Sequence, residues 1–127
     1  MRVLLDTHAF IWWDGASDAL AHDLRDVIRN PTNEIYVSAA SVWEISIKRR
    51  RGKIAFANVI SETLAKNRFL PLRITPEHAE HAGDLPPHHR DPFDRMLIAQ
   101  AILEGMAFGT QDPMARPYGV QTIGLRA

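Results

Sequence analysis

Four acidic residues stand at positions that a chain of alternating strands and helices would bring together: Asp6, Glu44, Asp94 and Asp112. Each comes after a short apolar stretch or opens the helix after one. Carboxylates gathered in one pocket repel, and a hard divalent cation with oxygen ligands, Mg²⁺ or Mn²⁺, relieves that repulsion. Such a cation polarises a phosphoryl oxygen and activates water for in-line attack, so the chemistry this set implies is phosphodiester hydrolysis. A pair of acids without metal could perform general acid–base work on another substrate, as in glycosidases, but that leaves the other two idle. Thr7 and Thr110 add hydroxyls beside Asp6 and Asp112. Each acid also has a plainer role open to it. Asp6 can cap the helix starting near Thr7, Glu44 can pair with Lys48 four residues on, and Asp94 can tune a helix end.

The elements that must position these acids are written in the spacing of apolar residues. In Arg90–Ala101, Asp91 suits a helix cap and Pro92 the first helical position, where its missing N–H has no intrahelical partner to lose. Asp94 then falls in the first turn. There the helix dipole and free N–H groups are expected to lower its pKa and keep it ionised. Met96-Leu97-Ile98-Ala99 with Ile102 and Leu103 predicts a largely buried helix up to Gly105. Met1–Leu5 reads as a nearly continuous apolar strand of the kind covered on both faces, with Asp6 at its end, where open α/β sheets bind ligands.

Further strands are expected at Ile35–Val37, at Phe69–Leu72 (an edge position, given Pro71), at Met106–Thr110 and at Val120–Ile123. Between them fall helices over Thr7–Asp14, from Ser17 through Leu20, Leu24, Val27 and Ile28, over Ser38–Arg50, over Asn58–Asn67, and from Thr75-Pro76 onward. The first of these is apolar almost all round, through Phe10, Ile11, Trp12 and Trp13. Part of that surface is therefore expected to meet a second chain. His78 and His81 could share a metal only with a further ligand, and His88 and His89 read as loop or surface residues. Lys48, Arg49, Arg50, Arg51 and Lys53 form the dense basic run, either a solvated face or a phosphate guide. Strands alternating with helices predict an α/β fold: a mainly parallel sheet, helices on both faces and right-handed crossovers.

A length of 127 residues suits a single domain spanning 1–127. Fifteen basic and fifteen acidic side chains cancel, so a polyanion must be met by a local patch or by metal ions rather than by an overall field. The absence of cysteine removes disulfides, thiolate zinc sites and cysteine nucleophiles, and fits a reducing compartment. No signal-peptide core and no stretch of roughly 20 apolar residues is present. A soluble, cytoplasmic protein is expected.

Taken together, Leu4-Leu5-Asp6-Thr7-His8-Ala9, Ser41-Val42-Trp43-Glu44-Ile45 with Lys48, His89-Arg90-Asp91-Pro92-Phe93-Asp94-Arg95 with Ile98-Ala99-Gln100-Ala101, and Thr110-Gln111-Asp112 resemble a PIN-domain protein of the VapC toxin type over essentially the whole chain. The resemblance implies a three-layer α/β/α fold and Mg²⁺- or Mn²⁺-dependent endoribonuclease activity on RNA. It also implies frequent homodimers and a cognate VapB-type antitoxin that blocks the site, with DNA contacted only through that antitoxin. Position by position, Asp6, Glu44, Asp94 and Asp112 correspond to the family's acidic metal-site residues and Thr110 to its hydroxyl neighbour. Phe108-Gly109 stands where relatives usually carry aliphatic residues. Two other readings compete. One is a catalytically inactive PIN-like module that binds RNA or a partner. The other is a phosphatase with a nucleophilic Asp after its first strand, which needs a second Asp two residues on, where this chain has His8.

Overall fold

Runs of apolar residues too short for a helix pair with one another, and the longer amphipathic runs cover them. The computed structural model describes residues 1–125. Its elements run in the order β1 (Arg2–Leu5), α1 (Thr7–Asp14), α2 (His22–Arg29), β2 (Glu34–Ser38), α3 (Ala39–Arg50), α4 (Ile60–Lys66), β3 (Leu70–Leu72), α5 (Pro76–Asp84), α6 (Pro92–Glu104), β4 (Ala107–Gly109), a 3-10 helix (Pro113–Tyr118) and β5 (Thr122–Ile123). The five strands form one sheet in the order β3-β2-β1-β4-β5, and every pairing is parallel. β3, with Pro71, lies at the edge, where a missing backbone donor costs least. Leu5 is in register with Val37 on one side and Gly109 on the other, so the carboxyl ends of β1, β2 and β4 lie level.

Side chains alternate across the sheet, as the two-residue period of a strand requires. Val3, Leu5, Ile35, Val37 and Ala107 enter one core with Phe10, Leu24, Ile28, Ile60 and Leu64 of α1, α2 and α4. Leu4 and Phe108 enter the other with Leu97, Ile98 and Ala101 of α6. The result is the expected α/β/α layering. No helix among the described residues is long and apolar enough to cross a membrane.

Three local expectations are revised. Ser17 does not cap α2: its hydroxyl accepts from Ala19 N–H in a turn, Ala21 N–H bonds the Gln111 amide oxygen at 2.7 Å, and the helix starts only at His22. Leu20 is buried from that turn instead. Part of the apolar excess of α1 is absorbed within the chain, while Ile11, Trp12 and Trp13 stay half-buried. Phe10 is 0% exposed and packs on Phe56 and Phe69, while Trp13 donates its indole N–H to Asn67 at 3.1 Å. The last strand shrinks to two residues because Pro113–Tyr118 coils and Gly119, at φ 73°, redirects the chain.

β5 is also where the backbone closes on the strand that leads into Thr110. Gly124 has φ 110°, and a Cβ there would lie 2.6 Å from the Thr110 carbonyl oxygen. Gly124→Ala is expected to destabilise the protein by about 1–3 kcal/mol, the cost of a strained backbone position. Urea unfolding measures it, and an unchanged midpoint would refute the tight closure.

Candidate acidic site at the strand ends

Because the strand ends are level, the segments that leave them meet at one edge of the sheet. Asp6 comes directly after β1 and is the N-cap of α1, its Oδ1 accepting Ala9 N–H at 2.7 Å. Its Oδ2 accepts the Thr110 hydroxyl, at the end of β4, at 2.6 Å. The capping role and the site role are thus met by different oxygens of one carboxylate. After β2, Ser38 caps α3, whose first three turns carry Ser41, Glu44 and Lys48 in succession. Glu44 is only 3% exposed. Its Oε1 accepts the Thr7 hydroxyl at 2.6 Å, which lies 3.0 Å from Ser41 Oγ, and its Oε2 accepts from Lys48 Nζ. The Glu44–Lys48 pair exists, and it also holds the acid in place at the sheet edge.

α6 brings its N-terminus to the same edge. Asp91 Oδ1 accepts the N–H groups of Phe93 and Asp94 at 2.8 and 3.1 Å, as expected of a cap. Asp112, beyond β4, caps the 3-10 helix through Oδ1, which accepts Met114 N–H at 3.0 Å. Between Asp112 and Asp94 stands His89. Its Nε2 lies 2.9 Å from Asp112 Oδ2 and 3.2 Å from Asp94 Oδ2. One ligand-capable atom of each of the three lies within 4.8 Å of the others. His89 was legible in the sequence only as a loop residue, because nothing in a Pro-Pro-His-His-Arg stretch shows where the loop returns.

Electrostatics show that the acids share one environment. Burial pushes the Asp94 carboxyl up to about 7, with the charge of Asp91 adding to the rise, His89 opposing it, and Asp6 and Glu44 adding smaller increments. The helix N-terminus was expected to keep this pKa low. Burial and three neighbouring carboxylates outweigh it. Asp6 is raised as well, first by burial, against the hydrogen bonds from Thr110 and Ala9, and Asp112 adds repulsion. The hydrogen bond to Glu44 raises Lys48.

Exposure grades across the group. Asp6 and Glu44 are buried, whereas the side chains of Asp94 and Asp112 are 28% and 40% exposed. A cleft of about 290 Å³ opens beside Asp6 and Asp112, walled by His8, Trp12 and Gln111. Among the described residues the group whose ligand atoms lie within 4.8 Å of one another is His89, Asp94 and Asp112, with Asp6 and Glu44 outside it. Oxygen-rich, with two nearby carboxylates raised by burial and by their neighbours' charge, it fits a divalent cation such as Mg²⁺ or Mn²⁺. His78 and His81 are elsewhere: His78 is buried, completes the capping box of α5 with Thr75 and pairs with Glu104 at 2.9 Å. Of the basic run, Lys48 is committed to Glu44 and Arg49 to the carbonyls of Phe56 and Asn58, while Arg50, Arg51 and Lys53 are exposed.

Known proteins share this arrangement of chain. The family model described as the PIN domain matches residues 3–118. Ribonuclease VapC22 of Mycobacterium tuberculosis is 29% identical over 119 residues, 91% of either chain. Among solved structures, VapBC2 from Rickettsia felis bound to a DNA fragment from their promoter superimposes with a TM-score of 0.68 at 14% identity, over 97% of this chain and 98% of that one. The DNA-bound VapBC from Salmonella typhimurium gives 0.68 at 16% identity, over 97% of both chains.

Crowding at Asp94 also has a consequence for stability. Its carboxyl titrates near 7 when folded against an ordinary value of 3.8, so over that interval the folded state holds a proton the unfolded state has released. The stability this proton contributes is full below about pH 4 and is lost as pH rises through about 7. Asp6, also raised, acts in the same direction. In EDTA, wild type is expected to lose melting temperature relative to Asp94→Asn as pH goes from about 5 to about 8. Parallel profiles for the two proteins would refute the raised Asp94 pKa.

Proposed function

The chain belongs to the PIN-domain family, and on that premise we propose that it is a Mg²⁺- or Mn²⁺-dependent endoribonuclease, the toxin of a VapBC-type toxin–antitoxin pair. The observation that carries the proposal is the convergence of Asp6, Glu44, Asp94 and Asp112, from four separate segments, on one partly open edge of the sheet. Similarity to Ribonuclease VapC22 supports the choice of RNA as substrate.

In this reading Asp6, Glu44, Asp94 and Asp112 hold the cation. When bound, the cation supplies Lewis acidity toward a phosphoryl oxygen and toward the attacking water. Thr110 fixes the Asp6 carboxylate through its hydroxyl, and Lys48 and Thr7 fix that of Glu44, so the two buried acids cannot turn away. Asp94 and Asp112 form the solvent side, where a phosphodiester approaches and where Asp112 orients the water. The neutral balance of charge leaves RNA attraction to local features, and exposed Arg50, Arg51 and Lys53 are the side chains of the basic run available for phosphate.

A VapB-type antitoxin is the proposed partner, consistent with the VapBC complexes that share the fold, and contact with DNA runs through it. The proposal further includes a homodimer, a single domain over 1–127 and a cytoplasmic location. Phe10, being fully buried, has no part in that dimer.

Purified protein incubated with total cellular RNA and Mg²⁺ or Mn²⁺ should cut RNA. EDTA, Asp6→Asn and Asp94→Asn should each abolish cutting while circular dichroism stays native. Cleavage that persists in folded Asp6→Asn protein would refute the assigned site. Folded wild type that binds Mn²⁺ yet turns over no RNA would move the reading to a binding module.

A further inference from the structure

His89 is more firmly held than a loop residue needs to be. The Arg95 guanidinium donates to the carbonyls of Ala82, Leu85, Pro86 and His89 at 2.8, 2.7, 3.1 and 3.1 Å. The Tyr118 hydroxyl accepts His89 N–H at 2.8 Å and donates to Pro86 O at 2.6 Å. Both backbone polar groups of His89 are thereby tied, one to α6 and one to the 3-10 helix. The ring is tied as well. Nδ1 accepts the backbone N–H of Asp91 at 3.2 Å, which leaves the ring hydrogen at Nε2. That hydrogen goes to Asp112 Oδ2 at 2.9 Å, Asp94 Oδ2 stands 3.2 Å from the same nitrogen, and the side chain is only 14% exposed.

From this geometry we propose that His89 is a positioning residue: its Nε2–H holds the Asp112 carboxylate beside Asp94 so that both face one cation, and it is not itself a ligand. The proposal rests on reading the acid cluster as a divalent-cation site. Ligation through Nε2 would require the ring hydrogen to move to Nδ1, where it would face the N–H of Asp91 and cost that hydrogen bond. Without that donor, the Asp112 carboxylate keeps only its cap to Met114 N–H, and nothing fixes it beside Asp94. Residues that orient ligating carboxylates from behind typically change metal affinity by about 10–100-fold when removed.

The test uses the full chain loaded with Mn²⁺. Binding is titrated by the electron paramagnetic resonance signal of free Mn²⁺, and nitrogen coordination is read by electron spin echo envelope modulation. Wild type should bind Mn²⁺ without the ¹⁴N coupling of a directly bound imidazole. His89→Ala should bind about 10–100-fold more weakly. His89→Gln, whose amide N–H falls close to where Nε2 was, should recover most of the loss. An imidazole ¹⁴N coupling in wild type that vanishes in His89→Gln would make His89 a ligand and overturn the proposal. Unchanged affinity in folded His89→Ala would also overturn it. Should His89→Ala fail to fold, the wild-type spectrum and the His89→Gln affinity still decide. Failure of wild type to bind Mn²⁺ at all is a separate result, and it removes the cation reading beneath.

Discussion

Like-charge repulsion at the carboxyl edge of the sheet is the constraint to which the rest of this structure answers. Burial, reinforced by the charges of Asp91, Asp6 and Glu44, raises Asp94 to about 7, and burial, with repulsion from Asp112, raises Asp6. A buried anion is tolerated only when hydrogen-bond donors or opposite charge replace the water it has lost. The fold supplies such donors amply to four of the five. Asp6 receives a helix N–H and the Thr110 hydroxyl, Glu44 receives Thr7 and Lys48, Asp91 receives two N–H groups of α6, and Asp112 receives Met114 N–H and the His89 ring. Asp94 has the thinnest supply: the His89 ring nitrogen stands 3.2 Å away, with its hydrogen given to Asp112.

Helix capping and the site are therefore not alternatives. Asp6 Oδ1, Asp91 Oδ1 and Asp112 Oδ1 each accept backbone N–H groups at the start of a helix or 3-10 turn, and the second oxygens of Asp6 and Asp112 turn toward other groups of the site. Using one oxygen to bind the backbone fixes the direction of the other. This gives the carboxylates a rigidity that long side chains on an open surface would lack. Glu44 reaches the same end differently, by burial at 3% exposure with a hydroxyl on one oxygen and an ammonium on the other.

Rigidity is carried further by the segment between α5 and α6. Five carbonyls, two from the last turn of α5 and three from the loop after it, converge on Arg95, the peg around which the loop is wound. Tyr118 closes the loop from the other side, bringing the 3-10 helix that begins after Asp112 against the strip that holds His89. The two solvent-side acids are in this way tied to each other through backbone as well as through the His89 ring.

Much of this was open to reading from residue order. Short apolar runs ending in Asp6 and Thr110, Ser38 before an amphipathic stretch, and Asp91-Pro92 before a buried one placed strands, caps and helices close to where they lie, because periodicity and capping are local physics. The parallel sheet and the meeting of the four acids came from the alternation of those elements. Local physics did not reach the start of α2, where a side-chain amide 90 residues away captures Ala21 N–H, or the fate of Phe10, which Phe56 and Phe69 cover from a distant part of the chain. Nor did it reach the pKa of Asp94. A helix N-terminus argues for a low value, but burial and the charges of Asp91, Asp6 and Glu44 prevail, and tertiary packing sets the burial and brings the last two close. The clearest case is His89. The sequence by itself determined that a histidine stands two residues before the cap of α6. Only the folding of that loop onto Arg95 and Tyr118 decided that its ring lies between Asp94 and Asp112, because a loop's path is set by the partners it finds and not by a repeat in its own residues.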